Sequence, residues 1–141
     1  MTIALRKSKI RRDVAELMVA QGFRQSPKHP ERFGRDPKGY QHKAFAVWLP
    51  EDEEHGRARP RGQRRYLNGS VVVRMSFALR VDDANGSQDD AYDAVEDAVQ
   101  ALIEATPRPY HLIPQRRSFR LSGDHIFADA RFSFRFLHTE A

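Results

Sequence analysis

The chain of 141 residues contains no cysteine. This absence excludes disulfides, thiolate nucleophiles and the zinc or iron–sulfur centres that cysteine holds. The chain also has no apolar run near the about 18 residues that a membrane-spanning helix needs. Its amino-terminal stretch "MTIALRKSKIRRD" turns basic and polar where a secretory signal would be apolar. We therefore expect a protein that stays in the cytoplasm of its host and has no membrane partner.

Catalytic and cofactor motifs are lacking as well. The six histidines are scattered singly, with no pair at the spacing of a metal site. No serine lies in a G-x-S-x-G motif, and "GRARPRG" has neither the lysine nor the strand-to-helix context of a phosphate-binding loop. We expect no catalytic residue, no metal ligand and no cofactor, and hence a protein that is not an enzyme.

What the sequence has in quantity is charge, and the charge is divided unevenly. The net charge is +5. Residues 1–49 hold eleven Lys/Arg against four Asp/Glu, whereas residues 70–141 hold eight against eleven. A basic half indicates nucleic acid or an acidic protein surface as partner, and a basic half beside an acidic half equally indicates copies that associate with one another.

The apolar periodicity predicts two helices and four strands. One helix is expected over residues 3–21, ended by Gly22, and a second from an N-cap at Ser87 to about residue 105. Alternating residues predict strands over 41–49, over 70–82 and on both sides of the hairpin Ser122-Gly123-Asp124, with one face of the sheet in the core. The fold class is therefore α+β, a single domain with a mainly antiparallel sheet and two helices packed on one face.

A long charged loop is expected at residues 50–69, "PEDEEHGRARPRGQRRYLNG", because almost nothing apolar anchors it. It opens with four consecutive acids and continues with five arginines. The acids are Glu51, Asp52, Glu53 and Glu54, and the arginines are Arg57, Arg59, Arg61, Arg64 and Arg65. The arginines could bind phosphates, but the acids cancel most of their field. We interpret the loop as an interaction arm that becomes ordered between neighbouring molecules.

The order of these elements resembles the tail terminator (tail-completion) proteins of long-tailed bacteriophages. The resemblance is carried by the basic first helix, by "SVVVRMSFALRVDD" leading into "SQDDAYDAVEDAVQALIEA", and by the closing strand "ADARFSFRFLH". It implies a virion protein, assembled in the bacterial cytoplasm, that forms a hexameric ring on the tail tube. Such a ring ends tube polymerisation and joins the tube to the head connector, and genomic DNA passes through its lumen without sequence-specific binding.

If the resemblance holds, the charge asymmetry has a use in a cyclic ring. The interfaces of such a ring are heterologous, so the basic helix of one subunit can meet the acidic helix of the next. Besides the loop, we expect an interface formed by the following residues of the two helices: Arg6, Lys7, Arg11, Asp93, Glu96 and Asp97.

Two alternatives remain open from the sequence. Another neck or tail component, such as a head-closure protein or a tube subunit, has this size and mix of elements. A nucleic-acid-binding module is favoured by a pI of about 9.9. That second alternative is disfavoured because the chain has no recognition-helix, RNA-recognition or aromatic stacking motif.

Overall fold

The computed structural model describes residues 7–26, 42–55, 64–105 and 111–139. Two helices and five strands are formed there, with a short 3₁₀ turn at Val81–Asp83. In chain order the elements are α1 (Lys7–Ala20), β1 (Arg24–Gln25), β2 (Ala44–His55), β3 (Arg64–Ala78), α2 (Ala84–Ala105), β4 (His111–Ser122) and β5 (His125–Thr139).

The strands form one sheet in the order β1-β2-β3-β5-β4. β3 is its centre and pairs antiparallel with β2 on one side and with β5 on the other, and β4 pairs antiparallel with β5. The two-residue strand β1 runs parallel to β2. The predicted α+β class with two helices is confirmed, but the sheet is mixed, because chain direction is the same in β1 and β2.

Both helices pack on one face of this sheet. On β3 the alternation places Val71, Val73, Met75 and Phe77 in the core, as their period of two predicts. Residues of both helices, among them Ile10, join the same buried cluster. Each large apolar side chain buried in this way contributes about 1.5–3 kcal/mol, so the shared cluster fixes which face the helices occupy.

The second face of the sheet is also partly buried, which the sequence pattern did not predict. Ala44, Ala46 and Phe127 form a small buried cluster there, and Ser76 is fully buried. Part of the cover comes from a long side chain, because the Arg120 guanidinium lies 5.3 Å from the Phe127 ring centroid. The expectation of a sheet buried on one side alone is therefore wrong.

The predicted loop at residues 50–69 is wrong over much of its length. Residues 51–55 continue β2 and residues 64–69 belong to β3, with Glu51 opposite Ser70 and His55 opposite Tyr66. The reason is backbone hydrogen bonding, since β3 is paired over this stretch with β2 on one side and with β5 on the other. These hydrogen bonds hold charged residues in strands that lack apolar alternation. Residues 56–63 lie outside the described residues.

Gly22 ends α1 as predicted. Its φ is +90°, the left-handed conformation that glycine adopts without a steric penalty. The Gly22 N–H donates to the Val19 carbonyl at 3.0 Å, and the Phe23 N–H donates to the Met18 carbonyl at 3.1 Å. Phe23 and Met18 are both buried. This is a Schellman motif with its usual apolar contact, and it turns the chain directly into β1.

α2 begins earlier than predicted, because Asp83 and not Ser87 caps it. The Asp83 carboxylate accepts a hydrogen bond from the Gly86 N–H at 3.1 Å, the position that an N-cap serves. Ser87 instead lies inside the helix and is buried. Asn85-Gly86, which precedes the predicted cap, therefore belongs to the first helical turn. Val81, predicted to face the core, is 94% exposed, because β3 ends at Ala78.

We predict that Gly69→Ala destabilises the fold by about 1–3 kcal/mol, the usual cost of overpacking a core. A Cβ at Gly69 would run into the ring of Phe134, which is buried on the neighbouring strand β5. The measurement is the midpoint of urea unfolding. Gly123→Asn is the control, since nothing lies within 4 Å of a Cβ there and asparagine tolerates its φ of +57°. A wild-type midpoint for Gly69→Ala would contradict this packing.

Candidate subunit interface

The two helices lie side by side on the same face of the sheet, each over a different half of it. α1 contacts β1 and β2, whereas α2 contacts β4 and β5. Since β1 and β4 are the two edge strands, each helix and its edge strand form one flank of the molecule. We call them the α1–β1 flank and the α2–β4 flank.

The α1–β1 flank contains a shallow groove of about 340 Å³. Its lining residues are Arg11, Arg12, Ala15, Glu16, Val19 and Gln25. The helical residues among them are spaced three and four apart and so share one side of α1. The floor is apolar, with Ala15 buried and Val19 55% exposed. The groove therefore combines a small apolar surface with two guanidinium groups and one carboxylate.

The α2–β4 flank carries an acidic stripe. Asp89, Tyr92, Asp93 and Glu96 are spaced three and four residues apart, so they share one side of α2. Its Glu96 reaches β4, because Arg117 Nη2 lies 3.3 Å from Glu96 Oε2. One acid of the helix expected to be acidic is therefore already paired with an arginine of the same subunit. This ion pair is exposed, however, and contributes little to stability.

Three large side chains on the same flank are exposed. The rings of Tyr92 and Phe119 meet edge to face with their centroids 4.9 Å apart. Leu121 is two residues beyond Phe119 on β4 and therefore lies on the same face of the sheet. The exposed fractions are 46% for Tyr92, 39% for Phe119 and 61% for Leu121. We call these three residues the apolar patch.

Not all residues expected from the sequence at the interface come together. Of the basic set, Lys7 and Arg11 lie on α1, and Arg6 lies outside the described residues. Asp97 is exposed on α2, and Asp93 and Glu96 belong to the acidic stripe. The four acids at 51–54 are on β2, and Arg64 and Arg65 begin β3. Outside the described part of the chain lie Arg57, Arg59 and Arg61.

The groove and the apolar patch escaped the sequence reasoning. Ala15 and Val19 lie in the predicted first helix, and Phe119 and Leu121 in a predicted strand, and no pattern marked them as exposed. The available signal was the composition of β4, which has three arginines among its twelve residues and too few apolar ones for a buried strand. Such a strand is expected at an edge.

Among the residues whose side chains the structure describes, the sheet face opposite the helices carries four arginines. They are Arg74, Arg116, Arg120 and Arg131, placed by register on three adjacent strands. One carboxylate lies among them, with Asp129 Oδ1 3.5 Å from Arg74 Nε. Burial raises the pKa of Asp129, and the charges of Arg74 and Arg120 oppose that rise. This face is therefore predominantly cationic.

A cavity of about 230 Å³ at the end of the sheet brings His42, Arg80, Ser87 and Asp90 together. The Ser87 hydroxyl is not available as a nucleophile, because it donates to the Asp83 carbonyl at 2.8 Å and accepts from the Arg80 N–H at 3.0 Å. His42 Nδ1 accepts a hydrogen bond from the Ala78 N–H at 3.2 Å. These bonds connect the end of β3 to the start of α2, which is a structural role.

No group of three or more His, Asp or Glu side chains in the described ranges is arranged to hold a metal ion. Within those ranges, neither helix is long and apolar enough to cross a membrane.

We predict that acidification from about pH 7.5 to about pH 5 destabilises the wild type more than a His42→Asn variant. Burial lowers the pKa of His42 below its ordinary 6.5, and the charges of Lys43 and Arg80 add to this against the opposing effect of Asp90. The unfolded chain therefore takes up the proton first, and stability that is present above pH 6.5 is lost as the pH falls. Asparagine can accept the Ala78 hydrogen bond without titrating. Equal losses in chemical unfolding would contradict this role.

Comparison with known proteins assigns no family. No protein-family model matches the chain, and no curated protein matches it. The function is therefore argued from the residues of the chain and from their arrangement on the two flanks.

Proposed function

We propose that this protein is a structural subunit that associates head to tail into a closed ring and acts as a phage tail terminator. The ring caps the tail tube, ends its polymerisation and provides the surface to which the head connector docks. Its partners are other copies of the chain, the tube protein and the neck, and DNA passes through its lumen. The protein works in the virion after assembly in the bacterial cytoplasm.

The observation that carries the proposal is the placement of opposite charges on opposite flanks of one sheet. The groove of the α1–β1 flank has Arg11 and Arg12. The stripe of the α2–β4 flank has Asp89 and Asp93. Contact between unlike flanks brings opposite charges together, whereas contact between like flanks brings equal charges together. Head-to-tail association is therefore favoured over a symmetric dimer.

Head-to-tail contacts repeat until the rotation between neighbours closes the chain of subunits. A closed ring leaves no flank open for further lateral growth, so only its two axial faces remain to meet the tube and the neck. The strand ends at the β2–β3 hairpin, with its acids at 51–54 and arginines at 64 and 65, are then available for contacts along the tube axis. This assigns the charged segment a role as an axial contact.

The cationic face of the sheet favours a second candidate, a module that binds nucleic acid. Arg116 and Arg120 are exposed on that face. Guanidinium groups held on a sheet can contact phosphates, and such binding weakens steeply with salt. The proposal of a ring is preferred because the described aromatic rings of this face are largely covered: Phe127 is buried, and the partly buried Trp48 ring already has the Arg74 guanidinium 5.7 Å from its centroid.

We predict that the purified protein forms a closed ring with a central opening. Native mass spectrometry at low and moderate ionic strength gives the number of copies, and negative-stain images show whether the ring is closed. A monomer at both ionic strengths would contradict the proposal. If that monomer bound duplex DNA with an affinity that fell at least about 100-fold between 50 and 200 mM salt, the nucleic-acid module would replace it.

We also predict that Asp89→Lys/Asp93→Lys weakens self-association by at least about tenfold, because it places like charges against Arg11 and Arg12. Adding Arg11→Glu/Arg12→Glu to the same chain should restore association. The control is Asp97→Lys/Glu104→Lys, which changes the net charge equally at exposed positions outside the stripe. Analytical ultracentrifugation measures the association, with circular dichroism to confirm folding. If both pairs of lysines acted equally, net charge and not the flank would be responsible.

A further inference from the structure

The apolar patch is an unusual surface for a flank that is otherwise charged. Its members lie on α2 and on the edge strand β4, and among the described residues β4 pairs with β5 alone. Exposed apolar side chains on an edge strand invite association, and natural proteins cover or charge such edges. β4 has three arginines, but the side chains of Phe119 and Leu121 on its helix-facing side remain partly exposed.

The groove on the other flank offers the complementary surface. Ala15 and Val19 supply its apolar floor, and among the described residues no large side chain fills the about 340 Å³ between α1 and β1. Its charges also complement those beside the patch. Arg11 and Arg12 match the acidic stripe, and Glu16 in the groove matches Arg117 on β4. The groove thus has one acid among its arginines, and the acidic stripe has Arg117 beside it.

We propose that the apolar patch of one copy packs into the α1–β1 groove of a second copy. This inference rests on the proposed function, because it names the side chains by which neighbouring subunits of the ring meet. Leu121 and Phe119 contact Val19 and Ala15, and the acidic stripe lies against Arg11 and Arg12. Burial of the patch provides affinity, and the charges select the orientation.

A second copy is favoured over a different partner by the pairing of both surfaces in one chain. Patch against patch would bring two acidic stripes together, and groove against groove would bring four arginines together, so neither symmetric contact is favourable. Since the two surfaces lie on opposite flanks, one copy cannot satisfy both by itself. Each copy can instead place its apolar patch in the groove of one neighbour and receive the patch of another neighbour in its own groove.

Disulfide trapping tests the contact directly, because the chain has no cysteine of its own. The test variant combines Val19→Cys and Leu121→Cys in one chain and is exposed to a mild oxidant at a concentration where the protein associates. A disulfide requires the two Cα atoms to lie within about 7 Å, so random collisions trap it poorly. The matched control combines Val19→Cys with Val81→Cys, which is 94% exposed at the end of β3.

We expect the test variant to form a ladder of covalent multimers on a non-reducing gel, at least about tenfold faster than the control. A mixture of the two single variants should give dimers that contain one chain of each, and little else. Equal rates in test and control would overturn the proposed contact. Rings seen by native mass spectrometry without this ladder would overturn the contact and leave the ring proposal intact. A ladder that grows into open filaments would support the contact and contradict the ring.

Discussion

The pairing of β3 with a neighbour on each side is the constraint on which the rest of the structure depends. Its ladder with β5 runs from Arg64 opposite Thr139 to Ala78 opposite His125, without a break in register. Because side chains alternate with a period of two, this register decides which residues of both strands face the helices. A slip of one residue would turn Val71, Val73 and Met75 away from α1 and α2. The helices therefore occupy their face because β3 is paired as it is, and the two flanks follow from the helices.

On the two flanks, charged side chains favour one orientation of association and apolar surface supplies affinity. Exposed ion pairs such as Glu96 with Arg117 contribute little free energy, since water and salt screen them. The acidic stripe and the arginines of the groove therefore cannot hold an assembly together alone, but they can disfavour wrong orientations. The apolar patch has the opposite properties, because burial of Phe119 and Leu121 gives affinity without direction. An interface that combines the two has both affinity and orientation.

Much of the fold could be predicted from the sequence, and the failures have local physical causes. The period-two alternation located the inward residues of β3 from Val71 to Phe77 correctly, and Gly22 marked the end of α1. The strand ends at Glu51–Glu54 were missed because backbone pairing on both sides of β3, and not apolar side chains, holds them. The start of α2 was missed because Asp83 and Ser87 are both good caps, and only the geometry shows that Ser87 bonds to a carbonyl one turn earlier.

The charges of the candidate interface could be predicted from the sequence. The groove and the exposed apolar side chains could not. The groove exists only because α1 lies against β1. Just before β2, Lys43 has a φ of +60°, a conformation that no sequence pattern indicates.

The same arrangement separates lateral from axial contacts in the proposed ring. In that proposal neighbouring subunits meet through the two flanks, which leaves the described strand ends for contacts along the ring axis. One end has the β4–β5 turn at Gly123 and the cluster of His42, Ser87 and Asp90, where hydrogen bonds fasten β3 to α2. The other end has the paired ends of β2 and β3, with the acids at 51–54 and the arginines at 64 and 65. A subunit that must stop one polymer and receive a different partner needs two different axial surfaces. In the proposed ring, Arg80 and Asp90 lie toward one axial partner and the charged strand ends of β2 and β3 toward the other.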